Sequence, residues 1–367
     1  MSARRACYDL RFLPTPRLGS LLTLAAGVCG DGTVTGWRCR IAAELIKKRE
    51  VRVSVQQASV AIIGCGHVGI ACANAILQKH TVRELILVDA TEDVARGEAL
   101  DLQQAVPLGV PVTIRAGTYG DAAASAMVVL TAGSPGKPGG SRLDMLADNA
   151  EVVRTCAERL REGGFGGVLL LATNPVDVLT YLAQRESGFP VERVIGTGTL
   201  IDSERLQAML GERLRVDARS VQASVIGEHG DSSVAVWSSA RIGGIPLARF
   251  PGAEALPSRE QMQTEVRRAG PEVAALKGNT CFAIAACVAR ICEAVLRDER
   301  SVLLVSTGMD GQYGLRDVAL STPCVLGKGG VERVLELELD AGEQAALASS
   351  ATVLQRAYAE MGEAGKS

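Results

Sequence analysis

Short, nearly unbroken apolar runs at residues 60–63, 85–88, 126–131, 168–172 and 194–195 alternate with longer stretches whose apolar positions fall three and four apart, as at Ile70, Ala73, Ile76 and Leu77. The first pattern is that of strands buried on both faces, the second that of helices laid on a sheet. Residues 91–105 and 143–161 continue the helical pattern, and 112–119 reads as a further strand. Strands alternating with helices as far as residue 196 predict an α/β fold with a doubly wound parallel sheet. Beyond that point the pattern changes. Val221, Ala223 and Val225 alternate with polar residues, and 234–245 reads as a second strand pair, so this half is expected to be α+β with antiparallel strands. Helices over 259–277 and 280–297, strands over 302–306 and 318–326 flanking Asp310-Gly311, a strand over 331–338 and a helix over 341–360 complete the prediction.

With 367 residues, the chain suits two domains, expected at 58–197 and 198–363. Residues 1–57 stand apart, with ten basic against four acidic residues and a short apolar run at 18–29. A targeting peptide, a disordered basic arm, a family-specific N-terminal helix and a start codon placed too far upstream all fit that segment. The expectation is an extension or over-long start on a cytoplasmic protein. A net charge of −2 does not call for a nucleic-acid or membrane partner, and 3% aromatics leaves little for base stacking. The ten cysteines are scattered without a C-x-x-C pair, so reduced buried thiols and no metal are expected.

The stretch from Ser59 to Asp89 carries the first specific chemistry. A strand meets Gly64-Cys65-Gly66-His67-Val68-Gly69, a helix follows, and a second strand ends on Asp89, twenty residues past Gly69. This is the spacing of a Rossmann-type dinucleotide-binding unit. Gly64 would permit the turn, Gly66 the approach of a pyrophosphate, and Gly69 close packing of helix on strand. Asp89 would accept hydrogen bonds from ribose hydroxyls and repel a 2′-phosphate, which favours NAD over NADP. Methyltransferases with a glycine-rich turn remain an alternative on this stretch alone.

A dehydrogenase acting on an alcohol needs a group to take the hydroxyl proton, and imidazole suits that task near neutral pH. The chain has three histidines. His67 lies in the glycine turn and His80 at a helix end, whereas His229 sits among glycines and acids in Gly227-Glu228-His229-Gly230-Asp231 at a strand end. His229 is the candidate acid/base. Asp202, early in a helix, is a candidate to orient it, with an N-cap as its alternative role.

Taken with Lys137-Pro138-Gly139-Gly140-Ser141-Arg142-Leu143-Asp144, Thr173-Asn174-Pro175-Val176-Asp177 and Asp202-Ser203-Glu204-Arg205, these motifs resemble the lactate/malate dehydrogenase family, in order from Ser59 to the C-terminus. Methyltransferases then drop out, as do short-chain dehydrogenases, whose Tyr-x-x-x-Lys pair is missing. The resemblance implies that His229 is the general acid/base, Asp202 its partner, Arg205 the carboxylate clamp and Arg142 a loop residue that polarises the substrate carbonyl. It further implies that Asn174 binds the same oxygen, that the bond before Pro175 is cis, and that Val68, Tyr119, Gly133, Thr197 and Asn174 join the glycine turn and Asp89 in holding NAD. A homodimer or homotetramer is implied as well.

Substrate choice in the family turns on the residue before Lys137, here Gly136. Malate dehydrogenases carry an arginine there; without a cation, a second substrate carboxylate would be poorly paired in a closed site. Thr280 matches the pocket threonine of the lactate branch. The expectation is an L-lactate dehydrogenase acting on a small 2-oxo or 2-hydroxy acid. Its alternatives are an enzyme for bulkier L-2-hydroxy acids, a malate dehydrogenase, and an NAD-binding protein without activity. Gln207 and Gln222 replace the Arg and His that bind fructose 1,6-bisphosphate in many bacterial relatives, so that effector is expected to have no site.

Overall fold

Val60, Ala61 and Ile62 are completely shielded from solvent in the computed structural model. Its description covers residues 58–109, 111–134 and 142–364, apart from the side chains of Pro107, 142–144 and 362–364. The expectations for residues 1–57 and for Gly136, and for the side chain of Arg142, fall outside the described residues.

Strand β1 (Ser59–Ile63) lies between β2 (Glu84–Val88) and β4 (Met127–Leu130), parallel to both. β3 (Thr113–Ala116) adds to β2, and β5 (Val168–Leu171) and β6 (Val194–Gly196) follow β4, giving the order β3-β2-β1-β4-β5-β6. The chain winds outward from β1 to β3 and then returns to start again at β4. Ligands of such sheets bind where this reversal occurs, beyond the carboxyl ends of β1 and β4.

Alternate side chains of each strand enter different cores, as the pleat requires. Ala61, Ile63, Val128 and Leu130 join one core, and Val60, Ile62, Met127 and Val129 the other. The first core includes residues of α4 (Arg142–Glu162), α5 (Val176–Glu186) and α9 (Ala341–Ala364), and the second is covered by α1 (His67–Gln78), α2 (Glu92–Ala105) and α8 (Phe282–Leu296). Between them in sequence lie α3 (Tyr119–Ala123), α6 (Leu200–Leu214) and α7 (Arg259–Lys277).

One feature differs from the sequence expectation and another goes beyond it. The strand read over 112–119 stops at Ala116, because Thr118 and Asp121 form a capping box that starts α3 at Tyr119. The antiparallel strands expected in the second half are present, but they divide between two sheets, which the sequence pattern did not address. β7 (Val221–Ile226), β8 (Val234–Ile242) and β9 (Ile245–Pro246) do stand alone. β10 (Ser301–Asp310), β11 (Arg316–Gly327) and β12 (Gly330–Val334) extend the parallel sheet instead, with Ser306 paired to Gly196. A Cβ at Gly196 would meet Thr180 Oγ1 at 2.3 Å and Ser306 Cβ at 2.9 Å, so glycine is what admits β10.

Candidate active site

The glycine turn joins β1 to α1 at the reversal of the sheet. Gly64 has φ of +103°, and a Cβ there would stand 2.4 Å from the Ala132 nitrogen. At Gly69 a Cβ would lie 1.9 Å from the Gly64 carbonyl oxygen, so these two glycines are required by the packing of helix against strand. Gly66 differs: nothing lies within 4 Å of its missing side chain. It caps α1 without a side-chain hydrogen bond, and the first turn holds no acid. An uncapped helix start with open space beside it can bind an anionic pyrophosphate.

Asp89 closes this turn. Its Oδ2 accepts the Cys65 N–H at 2.7 Å and its Oδ1 the Thr91 N–H at 2.9 Å. Each oxygen retains a lone pair for a ribose hydroxyl. Val68, half-buried, packs on the core beneath α1. Tyr119 commits its hydroxyl to Cys156 Sγ at 3.2 Å, and the Arg159 guanidinium lies 4.9 Å from its ring centre. Thr197 is buried beyond β6.

The second cluster is built on α6. Thr199, rather than Asp202, is the N-cap residue, so the capping role does not apply to Asp202. Ser203 accepts the Val225 N–H at 2.9 Å and donates to the Thr199 carbonyl at 2.9 Å, tying the start of α6 to β7. Asp202, one residue before Ser203, thereby meets the loop that follows β7. Its Oδ2 lies 2.6 Å from His229 Nδ1, and its Oδ1 accepts from Arg205 Nη1 at 3.1 Å. Nδ1 carries the proton toward the carboxylate, which leaves Nε2 for a ligand. Burial resists charging the His229 ring, but the hydrogen bond and charge of Asp202, with Asp177, outweigh it. The pKa is raised above the ordinary histidine value despite the opposing Arg205. Arg205 is 19% exposed, and a Cβ on Gly270 of α7 would come within 3.3 Å of its Nη2. Glycine leaves the guanidinium room.

The His229 loop is fixed from two sides. Gly227 and Ser321 of β11 exchange backbone hydrogen bonds of 2.9 Å, and the Glu228 N–H donates to Ser350 Oγ of α9 at 2.9 Å.

Asn174 precedes a cis bond to Pro175. Its carbonyl accepts from Asn149 Nδ2 at 2.8 Å, and Asn149 Oδ1 also accepts the Ser134 N–H at 2.6 Å. Asn149, almost fully buried, thus joins the start of the loop after β4 to the Asn174 turn. Thr173 supports the same junction by donating to the Ala132 carbonyl at 2.7 Å. A Cβ at Gly133 would press Thr173 Cγ2 at 2.5 Å, so that glycine has a packing reason of its own. Sequence reasoning missed Asn149, Ser203 and the contact of Asp177 with His229. Of these, Ser203 and Asp177 lie inside motifs that were read for other residues.

Arg142 is the first residue of α4, at the end of the loop holding Gly136. Thr280 is half-buried between α7 and α8. Gln207 donates to the Ala223 carbonyl at 3.0 Å, while Gln222 is exposed on β7. Among the described residues, no group of three or more His, Cys, Asp or Glu could hold a metal ion, and no helix is long and apolar enough to cross a membrane.

Comparison with known proteins agrees with this arrangement. Residues 58–196 match the lactate/malate dehydrogenase NAD-binding domain, and residues 199–364 the lactate/malate dehydrogenase alpha/beta C-terminal domain. The chain is 44% identical over 299 residues to an L-lactate dehydrogenase of Nitratidesulfovibrio vulgaris, covering 80% of this chain and 97% of the relative. It is 40% identical over 300 residues to an L-lactate dehydrogenase of Lacticaseibacillus casei, covering 81% and 92%. The crystal structure of a minor L-lactate dehydrogenase from Enterococcus mundtii superposes with a TM-score of 0.80 at 36% identity, covering 83% of this chain and 98% of that one.

The contrast between the glycines is testable. Gly66→Ala should keep a wild-type melting temperature yet bind NADH at least about tenfold more weakly, because its methyl group enters only ligand space. Gly69→Ala should lower the melting temperature as well. Differential scanning fluorimetry and NADH fluorescence titration separate the two effects; equal NADH affinity in Gly66→Ala and wild type would contradict the assignment of this turn.

Proposed function

The chain belongs to the lactate/malate dehydrogenase family, and we propose that it is an NAD-dependent L-lactate dehydrogenase, in which His229 exchanges the proton that accompanies hydride transfer. The observation that carries this reading is the sharing of one buried carboxylate, Asp202, by His229 at 2.6 Å and Arg205 at 3.1 Å. NAD bound at the glycine turn supplies the hydride acceptor for the alcohol, or as NADH the donor for the ketone.

Arg205 has guanidinium donors left after pairing with Asp202, enough to grip a substrate carboxylate through two parallel bonds. That places the adjoining substrate carbon toward His229, whose Nε2 protonates the oxygen during reduction and takes the proton back during oxidation. Asp202 holds the required tautomer and stabilises the imidazolium. Arg142, by its place at the end of the loop, and Asn174, by its turn beside the site, are assigned to polarise the reacting carbonyl. Thr280 and Gly136 are assigned to the pocket for the substrate side chain, which favours a monocarboxylate.

The cofactor preference for NAD rests on Asp89, whose carboxylate would repel a 2′-phosphate. A second reading, a dehydrogenase for bulkier L-2-hydroxy acids, draws on Gly136, which puts no side chain at that loop position. The seven described cysteines are all free and buried, which supports the reducing environment of a cytoplasm. Exposed Leu276 and Phe282, 81% and 75% accessible, suit contact between subunits of a homodimer or homotetramer.

His229→Gln should lower turnover by about 10²–10⁴-fold while NADH binding persists. Reduction needs the imidazolium, so kcat/KM for pyruvate should hold until pH passes the raised His229 pKa and then fall, with lactate oxidation rising over the same interval. Steady-state kinetics from pH 5 to 9 check both statements, and unimpaired turnover in His229→Gln would sink the mechanism. Fructose 1,6-bisphosphate should leave the rate unchanged, since Gln207 and Gln222 offer it no charge; a clear activation in the same assay would refute this.

A further inference from the structure

His229 is held at two points, and only the ring contact belongs to the mechanism above. The other is its main chain. Asp177, the second residue of α5, has 2% of its surface exposed. Its Oδ2 accepts the His229 backbone N–H at 2.7 Å, and its Oδ1 lies 3.5 Å from Ser321 Oγ. Ser321 pairs with Gly227 through backbone bonds on either side, and its Oγ accepts the Thr199 N–H at 3.0 Å. One buried carboxylate therefore stands where α5, β11, the His229 loop and the head of α6 converge.

A carboxylate in this place costs desolvation energy, and a neutral acceptor could have satisfied the same N–H. What an amide could not supply is charge. We propose that Asp177 is a positioning residue for proton transfer, tethering the main chain of His229 and adding a second fixed negative charge that stabilises the imidazolium. This rests on the assignment of His229 as acid/base and extends it to a residue that touches no substrate.

The charged groups facing the pair are Asp202 and Arg205 from α6 and Glu228 from the loop itself. Asp202 and Asp177 favour the imidazolium and Arg205 opposes it. Burial pushes the Asp177 carboxyl up to about 6, with the Ser306 hydroxyl and then the His229 amide and charge pulling it down and Glu228 adding to the rise. Ring and carboxylate interact directly, each favouring the charged form of the other. The start of α5 favours the anionic form through its free N–H groups.

Asp177→Asn separates the two roles, since the amide oxygen still accepts the His229 N–H but the charge is gone. Asp177→Ala removes both. The chain has three histidines, so ring NMR signals can be assigned by single substitutions. In the full-length protein, the His229 midpoint and the descending limb of kcat/KM for pyruvate reduction should move to lower pH by about half a unit or more in Asp177→Asn. Asp177→Ala should show the same shift together with a further fall in kcat of about tenfold from lost positioning. An unmoved His229 midpoint in Asp177→Asn overturns the proposal and leaves Asp177 a purely structural tether. If that variant does not fold, Asp177→Glu and Asp177→Ala decide: a His229 midpoint lower in Asp177→Ala than in Asp177→Glu supports the proposal, and equal midpoints overturn it. The NMR arm needs no substrate, so failure to reduce pyruvate would count against the proposed activity alone.

Discussion

A carboxylate removed from water must have its oxygens paired, at a penalty otherwise on the order of several kcal/mol. Asp202 meets that requirement with two side chains that a 2-oxo acid would itself need: Arg205 for the carboxylate and His229 for the carbonyl oxygen. The same pairing orients both groups. Arg205 stays on its side of α6, and the His229 ring keeps one tautomer and a raised pKa. Both side chains thus depend on one buried charge, and the start of α6 is riveted to β7 through Ser203 to keep that charge in place.

The glycine turn obeys a steric constraint instead. Gly64 and Gly69 are needed because a methyl group on either would collide with backbone, whereas Gly66 faces open space. The turn stands where the sheet reverses between β1 and β4, and the Asn174 turn follows β5 on the same side. Asn149 ties that turn to the head of the loop after β4. Parallel strands thereby bring the glycine turn and the Asn174 turn to the same end of the sheet.

Much of this was legible in the sequence because it is local. Strands buried on both faces announce themselves as apolar runs, and the glycine turn, Asp89 and the motif around His229 each occupy a few consecutive residues. The joining of β10 to β6 was not legible, since it depends on Gly196 meeting Ser306, more than a hundred residues later in the chain. Asn149 and the role of Asp177 were missed for the same reason: their partners lie 25 and 52 residues away, and although Asp177 belongs to the Asn174 motif, nothing local shows what it touches. The strand over 112–119 was overextended because a five-residue helix started by Thr118 and Asp121 is too short to show periodicity. Asp202 was legible as the partner of His229, with an N-cap as its alternative role; the helix boundary, which puts Thr199 at the cap, removes that alternative.

The most direct test of the account is kcat/KM with NADH for pyruvate, oxaloacetate, 2-oxoisocaproate and phenylpyruvate, because that ratio reports differential stabilisation of the transition state. A monocarboxylate site holding Arg205 as its one carboxylate clamp predicts pyruvate ahead of oxaloacetate by tenfold or more, about 1.4 kcal/mol. Oxaloacetate ahead would contradict it, since a second cation would then have to reach the bound substrate.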